Sequence, residues 1–206
     1  EGLPYVVVMT LSVIMYKRLG VSNTDIALFT SWLYFPWVIK PIWSPFVDLI
    51  KTKRWWIYSM QLLIGGGMAG VAFVLPGDFF LRFTLAFFWL MAFSSATHDI
   101  AADGFYMLGL TEEQQAFFIG IRNTFYRVAM LTGQGLLVML AGLLEESTER
   151  ISFAWSLVFF VLAGTFIALA LWHKYILPRP ASDAQRTNIT PHTILVEFGN
   201  TFVSFF

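Results

Sequence analysis

The chain has 206 residues, of which 57% are hydrophobic, 18% aromatic and only 13% charged, and its formal net charge is zero. A soluble domain carries about 25% charged residues, and 22 Phe with 8 Trp exceed what a soluble core of this length buries, so the excess faces lipid. Zero net charge gives no footing for a nucleic-acid partner or an acidic substrate, and the absence of Cys excludes disulfides and thiolate metal sites.

A bilayer core about 30 Å thick needs about 20 mostly apolar helical residues. Six runs approach or reach that length, and they are too long and too lacking in alternation for strands. The first covers Gly2 to Tyr16. The second covers Ile26 to Val47 and contains Pro36, Pro41 and Pro45. The third covers Trp55 to Leu75, with a Gly65-Gly66-Gly67 step and Gly70, small residues that let membrane helices approach closely. The fourth runs from Phe79 to Leu108, the fifth from Phe117 to Leu144, and the sixth from Ile151 to Ile176, where Pro178 and Pro180 stop it. Short polar loops between them predict antiparallel neighbours. Residues 1–177 thus read as one six-helix transmembrane bundle. Residues 178–192 read as a linker, and 193–206 as the start of a further segment. Because apolar runs meet both ends, the chain reads as part of a longer protein. Lys51, Lys53, Arg54, Lys174, Arg179 and Arg186 fall on one side, and Lys17, Arg18, Arg82 and Arg150 on the other. That bias places the Asp48–Arg54 loop in the cytoplasm and the Glu145–Arg150 loop outside.

Charges inside the spans carry the functional signal. An Asp at mid-helix costs roughly 2.5–3.5 kcal/mol even on lenient insertion scales, so it is functional by default when partners can be named. His98, Asp99 and Asp103 lie together on the fourth span. The two acids are four apart and share a face, and His98 points about 100° away from Asp99. The fifth span offers Arg122, Asn123, Tyr126 and Arg127. If the connecting turn centres near Glu112–Glu113, equal rise on both sides brings Asp103 level with Arg122 and Asp99 level with Arg127. A structural ion-pair network and a proton relay or substrate site both fit this pattern. Lys40 in the second span either snorkels toward the interface or serves a cavity. Gln134, between Gly133 and Gly135, is either a hydrogen-bonding group for a ligand or a polar clasp between helices. Asp48, Lys53 and Arg54 suggest a cytoplasmic gate, with membrane-edge charge as the plainer reading. His98 has no second His at ligand spacing, so no metal site is expected, and no nucleophile motif points to an enzyme. No cofactor is implied.

The pieces together resemble one family. They are Gly2-Leu3-Pro4 with Thr10-Leu11, Lys40-x-x-Trp43-Ser44-Pro45-x-x-Asp48, Ser95-Ala96-Thr97-His98-Asp99-Ile100-x-x-Asp103, and Tyr126-Arg127 with Met130-Leu131. Their order and spacing, from Gly2 to about Leu144, are similar to those of the AmpG-type muropeptide permeases of the major facilitator superfamily. Asp48, Lys53 and Arg54 also match that superfamily's loop signature, whereas Ser44, Leu49 and Lys51 depart from it. The family commonly has Gln where this chain has His98. The resemblance implies the N-terminal half of a major-facilitator fold, built as two inverted three-helix repeats. It also implies proton-coupled uptake of muropeptides or a similar sugar/peptide conjugate across the bacterial inner membrane, with a C-terminal half as partner. The rival reading is a non-transporting membrane scaffold or partner subunit whose charges are structural. The plainest separation between the two is the presence of six further spans after residue 206.

Overall fold

Proline and glycine decide where the helices of this chain break and where they touch. The computed structural model describes residues 2–183 together with 195–196 and 198–199. Six helical rods follow one another: α1 (residues 2–18), α2 (residues 23–49), α3 (Lys53–Val74), α4 (Phe80–Gly109), α5 (Glu112–Thr148) and α6 (Ile151–Ile176). A single 3₁₀ turn, Ala181–Asp183, follows α6. The described residues contain no strand.

Four of the rods, α3 to α6, are long and apolar enough to cross a membrane. The other two coincide with the first two expected spans but are interrupted. In α2 a 3₁₀ turn at Ser31–Tyr34 separates Asn23–Thr30 from Phe35–Leu49. Pro36 sits just beyond that turn. It has no N–H to return to Trp32, and its ring crowds the Trp32 carbonyl, so the α ladder cannot run through. Pro41 and Pro45 continue inside the helix. A π-helical turn at Val7–Leu11 interrupts α1, and a second at Thr132–Leu136 interrupts α5. The two turns pack against each other, where Gly133 admits the Val6 side chain.

Helix α3 is the centre of the bundle and lies along both α4 and α6. Its glycine step divides the work. A Cβ on Gly65 would lie 2.9 Å from Ile167 Cγ1 on α6, and one on Gly67 would lie 2.6 Å from Met91 Cγ on α4. A Cβ on Gly70 would run into the Phe87 ring, whereas Gly66 faces open space. Helix α6 presents Ala154, Trp155, Val158, Phe159, Leu162, Ala163 and Phe166 to this core at helical spacing. A polar contact ties two helices within the core, the Tyr16 to Thr84 hydroxyl contact of 2.7 Å between α1 and α4.

The rods alternate in direction, and both ends of the bundle are tied. At one end Arg18 pairs with Glu145, which also accepts from Trp155 Nε1 at 2.8 Å. At the other end the loop 50–52, the loop 110–111 and the segment after α6 meet. There Ser182 Oγ donates to the Leu108 carbonyl at 3.4 Å. The rest of the expected linker, with Arg186 and His192, and nearly all of the expected further segment lie outside the described residues.

Candidate functional site

The turn between α4 and α5 sets the depth at which their charges meet. Thr111 and Gln114 form a reciprocal capping box, in which the Thr111 N–H donates to Gln114 Oε1 at 3.0 Å and the Gln114 N–H to Thr111 Oγ1 at 3.4 Å. Glu112 and Glu113 occupy the first turn of α5, where the helix dipole favours acids. With the turn pinned there, Asp103 and Arg122 stand at one level and form an ion pair. The Arg122 guanidinium also lies 4.7 Å from the centre of the Tyr106 ring, and the Tyr106 hydroxyl donates to the Gln115 carbonyl.

The second pair expected from equal depth is not made. Arg127 is exposed and forms no ion pair among the described residues. Asp99 lies on the Asp103 face and lines a cavity. The reason is rotation, not depth. Arg127 is five residues beyond Arg122, which turns it about 140° around the helix, whereas Asp99 and Asp103 are four apart and only about 40° out of line. Two such arginines cannot both face two such acids. Asn123 and Gln134 are exposed as well and line none of the cavities described below.

Two cavities open along the Asp99–Asp103 face of α4. One, of about 450 Å³, is lined by Lys40, Asp99, Asp103 and Tyr126 together with Tyr34 and Trp37. The other, of about 430 Å³, is lined by Lys40 and Asp103 again, and by Asp48 and Lys53. A continuous run of charged side chains therefore leads from Asp99 past Asp103 and Lys40 to the end of α2. Trp43 fastens α2 to α4 beside this run, its Nε1 donating to Thr97 Oγ1 at 3.2 Å.

At that end Asp48, Lys53 and Arg54 act on different neighbours. Asp48 pairs with Lys53. The Lys53 stem lies across Gly104 of α4, where an added Cβ would meet Lys53 Cε at 2.8 Å. Arg54 reaches sideways to the last carbonyls of α6, donating from Nε to Leu177 O at 3.0 Å and from Nη2 to Lys174 O. This is the end of a helix that favours a cation. Asp183 completes the set. Its two carboxylate oxygens accept the N–H groups of Lys53 at 2.7 Å and Arg54 at 3.0 Å, the first turn of α3. Two basic side chains stand at a helix start, where the dipole disfavours them, and an acid from the far side of α6 offsets this. No local pattern in the sequence marks Asp183, since its partners lie 129 and 130 residues away.

His98 faces the other way. It does not line either of the Lys40 cavities but a crevice with Gln61 and His173, which adjoins the first of those cavities at Gly2 and Tyr126. The Gln61 side-chain oxygen lies 2.9 Å from His173 Nδ1. Both residues are polar groups inside otherwise apolar spans, and that signal was available in the sequence without a partner to give it meaning. No group of three His, Asp or Glu side chains among the described residues is placed to hold a metal ion.

The fold and this site define a multi-pass membrane protein whose interhelical cavity carries both acids and bases. The BT1 family matches residues 2–192, and the chain belongs to that family, which is one of membrane transporters of the major-facilitator type. It is similar to the anhydromuropeptide permease of Escherichia coli strain K12, with 31% identity over 128 residues, 59% of this chain and 26% of the permease. The same figures hold for the anhydromuropeptide permease of Escherichia coli O157:H7. An uncharacterized protein of Schizosaccharomyces pombe is 26% identical over 116 residues, 52% of this chain and 22% of that protein. The matched stretch thus spans about a quarter of the length of these curated relatives. The family agrees with the resemblance carried by the Ser95–Asp103 motif and its companions.

Proposed function

We propose that the chain is the N-terminal half of a major-facilitator secondary transporter, and that its six rods are six spans arranged as two inverted three-helix repeats. The whole protein takes up a muropeptide or a similar sugar/peptide conjugate by alternating access, driven by protons, across the bacterial inner membrane. The single observation that carries this reading is the grouping of Lys40, Asp99 and Asp103 around one cavity, continuous with the Asp48–Lys53 end of the bundle. Acids are costly at membrane depth and are retained where protons or substrates pass. Asp103 is held by Arg122 across α4 and α5, and the parting of that pair is the coupling step. Lys40 offers a cation to a substrate carboxylate, and Tyr126, Tyr34 and Trp37 offer ring faces to a sugar. Asp48, Lys53 and Arg54 form the cytoplasmic gate, since they join α2, α3, α4 and α6 at one end. The relatives named anhydromuropeptide permeases support the substrate class.

The test is uptake by the full-length protein of a labelled anhydromuropeptide under an imposed proton gradient. Asp99→Asn and Asp103→Asn each abolish gradient-driven uptake while the protein still reaches the membrane. Uptake at the unaltered rate and pH dependence in both variants would reduce the acids to a structural role.

A further inference from the structure

The crevice behind α4 has the build of a second binding site. His98 is 7% exposed, and its Nε2 has no hydrogen-bond partner among the described residues. A buried imidazole nitrogen in that state is costly unless something else completes it. Gln61, 6% exposed, stands beside it and engages His173. These polar groups sit at the base of a cavity of about 620 Å³, and a lobe of about 450 Å³ continues it to Leu177 and Pro178 at the end of α6. The walls above them are mostly apolar, with Ile64, Phe118, Ile121, Phe125, Phe166 and Leu169, and with Tyr106 and Tyr126 among them. A mostly apolar cavity of this size with a few convergent polar groups is the usual form of a small-molecule site.

The chemistry of the walls selects the occupant. A sugar conjugate would leave most of its hydroxyls unpaired against phenylalanine and aliphatic side chains. An inorganic ion would find apolar walls in place of a hydration shell. A single acyl chain fits those walls, and a carboxyl group fits the base, where His98 Nε2 and the Gln61 amide can hydrogen-bond it. The Arg122 guanidinium on the same wall adds positive charge while it holds Asp103 on the other side. We propose that this crevice binds a long-chain fatty acid drawn from the bilayer, with its carboxyl group at His98 and Gln61 and its chain along α5. The crevice adjoins the Lys40 cavity, with which it shares Gly2 and Tyr126, and its test does not depend on transport. The Asp103–Arg122 pair lies between the two, since Asp103 lines one and Arg122 the other.

The experiment is photolabelling of the full-length protein in lipid nanodiscs with a diazirine analogue of palmitate, followed by peptide mapping. Saturable labelling is expected on residues 117–129 or on 61–64, competed by palmitate and not by hexadecanol. His98→Phe lowers it at least tenfold, and His98→Asn, which keeps a hydrogen-bonding group, retains most of it. Ile121→Trp, a change at a part-exposed wall position, fills the crevice and lowers labelling at least tenfold with the melting temperature unchanged, so the proposal does not depend on His98→Phe folding. Arg127→Gln leaves labelling as it is. Labelling that palmitate does not compete, or that survives both His98→Phe and Ile121→Trp, is annular lipid and overturns the site. Equal competition by hexadecanol overturns the carboxyl assignment.

Discussion

The contact between Asp103 and Arg122 makes a quantitative prediction about the pairing of α4 with α5. The two side chains are 43% and 37% exposed, so the pair lies between two regimes. Fully exposed pairs contribute about 0.2–1 kcal/mol, whereas breaking a fully buried pair costs about 3–5 kcal/mol. Solvent screening at this exposure places the coupling near the lower regime, at about 1 kcal/mol. Arg122 additionally loses its contact with the Tyr106 ring, about 0.5–1 kcal/mol. Arg122→Gln is therefore expected to cost about 1.5–2 kcal/mol, Asp103→Asn about 1 kcal/mol, and the double variant about 1 kcal/mol less than their sum. The assay is a double-mutant cycle on equilibrium unfolding of the purified protein in mixed micelles. A coupling of 1 kcal/mol is about a fivefold change in the folded-to-unfolded ratio, well within reach of such titrations. If the pair also serves transport, stability recovers in the double variant and uptake does not. Strictly additive losses would refute the contact, and with it the depth argument that sets Arg122 level with Asp103. Arg127→Gln is the internal control: with no ion pair among the described residues, it should cost no more than a surface change, within about 0.5 kcal/mol.

Three further outcomes follow from other parts of the bundle. Asp183→Ala removes the acceptor of two N–H groups at the start of α3 and should lower stability by about 1–2 kcal/mol, with Asp183→Asn intermediate, as read by thermal melting. Gly70→Ala drives a methyl group into the Phe87 ring and should reduce folded yield, whereas Gly66→Ala, facing open space, should be neutral or stabilising by up to about 1 kcal/mol. Equal melting curves for the two would show that α3 and α4 are not in close contact. Lys51→Cys should resist membrane-impermeant thiol reagents in intact cells, and Glu146→Cys should react with them. The reverse pattern would invert the proposed orientation.

Composition and run length were enough to establish a helical membrane chain, because a bilayer imposes a span length and a polarity that few soluble sequences satisfy. Helix boundaries came within a few residues for the same reason, whereas the interruption of the second run at Ser31–Tyr34 was seen only in the structure. The meeting of Asp103 with Arg122 was legible too, since helical rise is the same on both sides of a short turn. The failure of Asp99 to meet Arg127 is also local arithmetic, but on angle as well as depth. What only the tertiary structure decided was which face of each helix met which neighbour. It put Asp99 in one cavity with Lys40 and His98 in another with Gln61, so that two adjacent residues line different cavities. It also brought Asp183 across 130 residues of chain to the start of α3. Span length and depth depend on residues near one another in the chain, and so the sequence carries them. Facing depends on close packing between helices distant in sequence, where a glycine at 65 or 67 chooses α6 or α4, and no local pattern records that choice.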